Sequence, residues 1–496
     1  MKTIEKEFEV NKVSNSVTNP PALNWINGDW VDSGNHQLSF NPATGETIGR
    51  YADGGLEEAK MAIAAALKSF RETPWKNDHA LRAKVLLNMA DRIENRSSDF
   101  IQILGTEGGK IAAEAGMEVQ AAPAFLRYWA GKTFTAGRSG EVMLGSFSFT
   151  LREAVGVAGL IIPFNAPLAL LLRALAPALA AGTTTVIKMP GLAAQTNSML
   201  AGMFSEVAHL PKGVINIITE SGAEVAKYLV QSPDVPVISF TGSTATGKAI
   251  LAAGATQLKR LNLELGGKTP MLVFGDADME KAIDAIVSGI TIFSGQFCMA
   301  GSRILVQSNI AESLRMMLGK RLAAIKVGPP SNPQSEMGPL INKSGCDRVN
   351  QMVEEAIAAG AKIIVRGGPL TEAAYNEGTF YSPTLLEVTD SKLPIVQQEI
   401  FGPVATLQIF KDEAEAIVLA NDSDYGLAAS IWTRDFNRSW WVAKEIQAGT
   451  IWINTYAQVF PQFEEGGYKK SGIGRLNGEA ALEDFLEYKH ISFNQE

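Results

Sequence analysis

From Gly156 onward the apolar residues come in short runs, VGVAGLII, TTTVIKM, GVINIIT and VISFTG, alternating with Ala- and Leu-rich stretches of helical spacing. Runs of this length, apolar throughout, read as buried strands, and their alternation with helices predicts a parallel sheet with helical crossovers. A second series follows, MLVFGD, RILVQS, AKIIVRGG, ATLQIF and GTIWIN, separated by helical patterns such as Val349 to Ala359. Two α/β domains account for both series. Ahead of them, Leu56 to Ser69 and His79 to Asn95 carry apolar residues three and four apart and read as amphipathic helices. Between this helical front and the first sheet, Gly140 to Arg152 (GEVMLGSFSFTLR) alternates in the manner of a β-ribbon that projects from the body. Such ribbons often find partner subunits.

One segment imitates a membrane span. Ala154 to Leu172, AVGVAGLIIPFNAPLALLL, runs 19 residues without a charge. Pro163, Asn165 and Pro167 sit in its middle, where they would leave unpaired backbone groups in lipid. A buried strand, a turn and a buried helix fit the same letters.

The chain has 496 residues, too many for one core, with 46% hydrophobic and 19% charged residues, as in ordinary globular proteins. Its 44 basic and 52 acidic residues give a net charge of −8, which offers nucleic acid no general electrostatic footprint. The N-terminus, MKTIEKEFEVNK, mixes charge signs without an apolar run, so the cytoplasm is the expected location. Two cysteines, Cys298 and Cys346, make no disulfide framework, and four dispersed histidines show no metal-ligand spacing. A reducing compartment and no metal are expected.

Thr241 to Ala249, TGSTATGKA, nearly spells the phosphate-binding loop of nucleotide triphosphatases, but Ala249 stands where that loop needs a hydroxyl for magnesium. What survives is a glycine turn after the strand Val237 to Phe240. It either holds a pyrophosphate on the amides of the next helix or is a plain strand-to-helix turn. Gly472 and Gly474 in SGIGRLNG make a weaker imitation of a dinucleotide fingerprint, since Asn477 takes the sixth position and no apolar strand precedes.

Cys298 lies in SGQFCMAGSR, after an apolar helical stretch and before small residues that let a substrate approach. A lone cysteine is commonly an inert small hydrophobe, so its surroundings decide. Upstream stands Glu264 in LNLELGGKTP, a single acid between leucines at the end of an apolar strand. Desolvation there would raise its pKa into the range of a general base, whereas a capping or ion-paired acid is the plainer reading.

These letters, with INGDWVDS (Ile26 to Ser33), NPATGE (Asn41 to Glu46), PFNAP (Pro163 to Pro167), ISFTGSTATGK, LELGGKTP, GQFCMAGSR, EIFGPV (Glu399 to Val404) and GGYKKSGIGR (Gly466 to Arg475), resemble the ordered signatures of the NAD(P)-dependent aldehyde dehydrogenase superfamily. The resemblance implies a cofactor-binding domain (1–139 and 153–264), a catalytic domain (265–475) and an oligomerisation domain (140–152 and 476–496) that builds a homodimer or homotetramer. It implies Cys298 as nucleophile, Asn165 with the Cys298 backbone N–H as oxyanion donors, and Glu264 as the base for thioester hydrolysis. Members that acylate coenzyme A typically lack that glutamate, so a free acid is the implied product. For the cofactor it assigns Lys188 to the adenosine ribose, Ser243 with the Gly242 turn to the pyrophosphate, Glu399 to the nicotinamide ribose and Phe401 to the nicotinamide.

Four departures carry further expectations. Phe164 replaces a tryptophan that commonly reaches the pyrophosphate, so the cofactor is gripped more loosely. Glu464 and Glu465 replace an aromatic before GGYK and put an acidic rim at the substrate entrance. Gly191 stands where relatives that prefer NAD carry a glutamate; its absence adds room, removes a repulsion toward a 2′-phosphate and leads us to expect use of NADP as well as NAD. Arg173, in an otherwise apolar helix two turns beyond Asn165, needs an anion or several acceptors, from substrate or from a distant acid. Arginine there, followed by an alanine like Ala174, resembles benzaldehyde and salicylaldehyde dehydrogenases, which favours aromatic aldehydes over carboxylate-bearing semialdehydes.

Overall fold

The computed structural model describes residues 20–135, 139–143, 146–373 and 375–494. Both predicted sheets are present. The first has eight strands in the order Asp29–Val31, Asn24–Ile26, Ile215–Glu220, Thr184–Pro190, Val157–Ile161, Val237–Thr241, Arg260–Glu264 and Gly472–Ile473. Its five middle strands are parallel, and antiparallel strands close both edges. The chain enters the parallel part at Val157–Ile161 and works outward in both directions. The topological switch, and the crevice it opens beyond the strand ends, therefore lies between Val157–Ile161 and Val237–Thr241.

The second sheet has seven strands, in the order Lys362–Val365, Thr384–Glu387, Val404–Phe410, Arg303–Gln307, Pro270–Val273, Ala428–Trp432 and Thr450–Ile453. All are parallel except the first. The ribbon is Ser139–Met143 with Ser146–Ala154, joined antiparallel by Leu486–Asn494 in a continuous register from Leu486 opposite Ala154 to Asn494 opposite Ser146.

Two short pieces cross the boundaries expected from the sequence. Gly472–Ile473 pairs with Leu263 and Glu264 at the edge of the first sheet. Ala481, Leu482 and Phe485 pack into the first domain's core. Residues 1–19 of the expected cofactor-binding domain lie outside those described.

The apolar segment that imitated a membrane span divides into the strand Val157–Ile161, a turn, and the helix Pro167–Ala181. That helix is wrapped on all sides, by the front helices His79–Asn95 and Ala112–Lys132 and by the sheet, so Leu171, Leu175 and Leu179 join Val85, Leu126 and Trp129 in one core. Among the described residues, no helix is long and apolar enough to cross a membrane.

Candidate active site

A cavity of about 550 Å³ opens at the switch point, walled by Phe164, Asn165, Thr241 to Ala245, Glu264, Cys298, Arg348, Glu399 and Phe401. It gathers parts that are far apart in the chain, and bare backbone is what lets them converge. A side chain on Gly267 would begin 2.2 Å from the Cys298 carbonyl oxygen, and one on Gly295, itself at φ +73°, would meet the Gly402 backbone at 2.2 Å.

Cys298 follows an abrupt turn. The helix Met279–Thr291 ends and Phe293 and Ser294 both take left-handed backbone angles, φ +50° and +57°, a conformation that needs outside support. Glu114 provides it by accepting from Phe293 N at 2.7 Å, and Ser294 Oγ donates to Gly338 O at 2.8 Å. Burial pushes the Cys298 thiol up to about 12, an effect that the Arg173 guanidinium opposes and the surrounding carboxylates reinforce.

Asn165 precedes the helix Pro167–Ala181, and its Nδ2 donates to Gln296 O at 3.0 Å, tying that turn to the cysteine segment. One N–H of the amide is used this way, and the second remains for a ligand oxygen. The free amides at the start of this helix are taken by Glu118, which accepts from Leu168 N at 2.9 Å and Ala169 N at 3.2 Å. Lys110 joins the supports: its ammonium bonds Glu118 and lies 4.0 Å from the centre of the Phe293 ring. Lys110, Glu114 and Glu118 thus brace the Asn165 helix and the Cys298 turn from behind.

Glu264 ends the strand Arg260–Glu264, and its Oε1 has no hydrogen-bond partner. Burial raises its pKa well above the carboxylate range, Arg173 and Arg475 offset part of that, and Glu465 adds to it. Glu399 is pushed up to about 7 by burial, against a 3.3 Å bond from Gly267 N. Opposite, Ser243 caps the helix Thr244–Gly254 by accepting from Thr246 N at 3.2 Å. The remaining amides of that helix start face the cavity at Thr244 and Ala245, a natural seat for an anionic group. Phe164 and Phe401 stand edge to face at 6.0 Å, and Phe401 holds φ +54°.

The cavity thus unites Cys298, Glu264, Asn165, Gly242, Ser243, Glu399, Phe401 and Phe164. Lys188, Gly191 and Arg173 lie outside its lining. Two expectations are corrected, and of the two partners left open for Arg173 the structure shows the protein's own acid. Glu465 forms no rim: it is buried and bonded to Arg173, while Glu464 accepts from Glu479 N and Ala480 N at the start of the helix Ala480–Glu483. Arg173 therefore has its anion within the protein. Gly191 adds no room, because a Cβ there would stand 2.3 Å from the Tyr51 hydroxyl.

Lys110, Glu114, Glu118 and Arg348 join the site without having stood out in the sequence. Charged residues recurring at Lys110, Glu114 and Glu118 at four-residue spacing among alanines and glycines were the visible sign, since such a face is too apolar to be a solvated one.

An open parallel sheet with a glycine turn at its switch point, joined to a second α/β domain that contributes the cysteine, defines a dinucleotide-linked oxidoreductase with a covalent step. The chain belongs to the aldehyde dehydrogenase family, whose sequence model matches residues 30–491, and the reaction it catalyses is the oxidation of an aldehyde. It is 37% identical to a betaine aldehyde dehydrogenase of Bacillus subtilis over 95% of this chain and 97% of that one. It is 36% identical to a hydroxyisobutyraldehyde dehydrogenase of Mycolicibacterium austroafricanum over 97% and 95%. The crystal structure of betaine aldehyde dehydrogenase from Staphylococcus aureus in complex with NAD+ superposes with a TM-score of 0.93 at 36% identity, covering 95% of each chain.

Proposed function

We propose that this enzyme oxidises an uncharged, preferentially aromatic aldehyde to its carboxylic acid, with Cys298 as nucleophile. The observation that carries the proposal is the convergence of Cys298, the Asn165 amide and Glu264, whose Oε1 has no partner, on one cavity that the start of the helix Thr244–Gly254 also lines. The Cys298 sulfur adds to the aldehyde carbon, and the oxyanion accepts from Asn165 Nδ2 and the Cys298 N–H. After oxidation to the thioester, Glu264 takes a proton from water, whose oxygen displaces the sulfur and releases the acid.

A nicotinamide dinucleotide suits the residues present: Gly242 and the amides after Ser243 form a tight turn at the cavity wall, and position 242 has to stay bare because a Cβ there would meet the Phe240 ring at 2.5 Å. Ser243 and those amides would hold its diphosphate, Lys188 its adenosine ribose, Glu399 its other ribose, and Phe164 and Phe401 would flank the nicotinamide. When bound, that ring supplies the hydride acceptor. The first sheet then serves as cofactor-binding domain, the second as catalytic domain, and the ribbon as the contact that builds a homodimer or homotetramer.

Two observations support an uncharged substrate with an aromatic body. Arg173 already has a buried carboxylate partner, which balances the charge a semialdehyde carboxylate would need. Cys298 joins an apolar cluster that also holds Phe297, Trp452 and Tyr456, with Phe297 edge-on to Phe293 at 5.9 Å. A panel of benzaldehyde-type, semialdehyde, short aliphatic and trimethylammonium aldehydes, followed by reduced-nicotinamide absorbance, tests the reading. Benzaldehyde-type substrates are expected to give the highest kcat/KM, and a clear lead for any other class overturns it.

A further inference from the structure

Glu220 is a buried acid that neither the fold nor the catalytic steps use in full. It ends the strand Ile215–Glu220 and is 2% exposed. One oxygen, Oε1, accepts from Val225 N at 3.0 Å at the start of the helix Glu224–Gln231. The other, Oε2, has no partner. A buried carboxylate oxygen left bare is costly, which marks a place where a ligand donor completes the set.

The register shows which face it occupies. In the parallel pair, Lys188 stands opposite Ile218, and Glu220 is two residues further along, so the two side chains emerge on the same face. Lys188 in turn stands opposite Ile161, and Ile161 opposite Phe240, placing Lys188 and Glu220 on the face where Ser243 starts its helix. Three strand spacings of about 4.8 Å separate the Glu220 strand from the strand that ends at Thr241, and the Lys188 strand lies between them. Lys188 has a lowered pKa because burial outweighs the fields of its two acidic neighbours, Glu220 and Asp53. Asp53 is spent on Ser221, accepting from its N at 2.7 Å and its Oγ at 2.6 Å. Glu220 alone of the two acids keeps a free oxygen.

We propose that Glu220 accepts a hydrogen bond from the 2′-hydroxyl of the adenosine ribose, beside Lys188, and thereby selects NAD over NADP. The assignment rests on the reading of this crevice as a dinucleotide site. A ribose diol offers a donor to Glu220 Oε2 and an acceptor to Lys188. A 2′-phosphate offers that oxygen only like charge and no proton. Gly191 gives the phosphate no alternative room, since Tyr51 fills the space its side chain would take.

The test is equilibrium binding, by calorimetry without aldehyde, of NAD, NADP and 2′-deoxy-NAD to the wild type and to Glu220→Gln, which keeps an acceptor for Val225 N. The wild type is expected to bind NAD at least tenfold more tightly than either analogue. In Glu220→Gln both ratios should shrink severalfold, chiefly through weaker NAD and stronger NADP binding. The 2′-deoxy comparison on the wild type needs no variant, so it stands whether or not Glu220→Gln folds. Equal binding of NAD and 2′-deoxy-NAD by the wild type, or unchanged ratios in a folded variant, overturns the role of Glu220 alone. Failure of the wild type to bind any of the three overturns the dinucleotide reading with it.

Discussion

Arg173 and Glu465 form an ion pair, each side chain 6% exposed, within the electrostatic reach of both Cys298 and Glu264. Glu465 Oε2 also accepts from Asn477 Nδ2 at 3.0 Å, so both its oxygens are used. Arg173 Nε is buried without a partner, and its guanidinium acts on the thiol through space.

Breaking that pair from one side should be far worse than removing it whole. Arg173→Met is expected to cost about 3–5 kcal/mol, because it leaves a carboxylate buried alone, whereas Arg173→Met with Glu465→Leu should return most of that loss. Urea unfolding of the two singles and the double gives the coupling directly, and additive losses would rule out a coupled pair.

Only the thiolate of Cys298 reacts, and burial lifts its pKa to about 12. Reactivity must therefore rise with pH throughout the working range. Alkylation of the free enzyme by iodoacetamide should climb about tenfold per pH unit between roughly pH 7 and 9 without levelling. Removing the Arg173 charge takes away the influence that lowers this pKa, so Arg173→Met should react more slowly at every pH in that interval. A plateau near neutrality would show that the thiol ionises far more readily than its burial allows.

Glu264→Gln should separate the two halves of turnover. The amide cannot take a proton from water, so a burst of reduced cofactor near one equivalent per site is expected, followed by a slow steady rate. Rapid-mixing absorbance measures both phases. A slow rate with no burst would assign Glu264 to the first half instead.

Glu114 holds the left-handed turn that delivers Cys298. Glu114→Leu is expected to lower kcat about tenfold to a hundredfold, the penalty of a displaced nucleophile, with the KM for the dinucleotide unchanged. Glu114→Gln keeps an acceptor for Phe293 N and should restore most of the rate. Unaltered kcat in Glu114→Leu would mean that the turn holds itself.

Much of this architecture was legible because it depends on local pattern. Most strands of the two parallel sheets follow from apolar runs such as TTTVIK and RILVQS, though the edge strands Asn24–Ile26, Asp29–Val31 and Gly472–Ile473 and the inner strands Thr384–Glu387 and Ala428–Trp432 do not, and Cys298, Asn165, Ser243 and Glu399 sit in short ordered signatures. What escaped the sequence was pairing over distance. Nothing near Arg173 announces that its anion is Glu465, since the two meet only when the Gly466–Arg475 segment folds back beside the first sheet. Nor does the letter at 191 reveal that Tyr51, on an antiparallel strand far upstream, occupies the space a glutamate would need. Glu114 and Glu118 escaped for a related reason: acids on a helix look solvated until the surface they face is known to be protein.

The edge of the first sheet has a consequence for synthesis. Glu264 is registered against Gly472, Leu265 N donates to Ser471 O, and Ser471 Oγ donates to Gly266 O across 205 residues. While a ribosome is still making the second domain, the strand Arg260–Glu264 waits with an open edge, a template for the wrong partner strand. The nascent first domain must therefore stay unfinished, and exposed to mispairing, until the residues beyond 470 have emerged to close it.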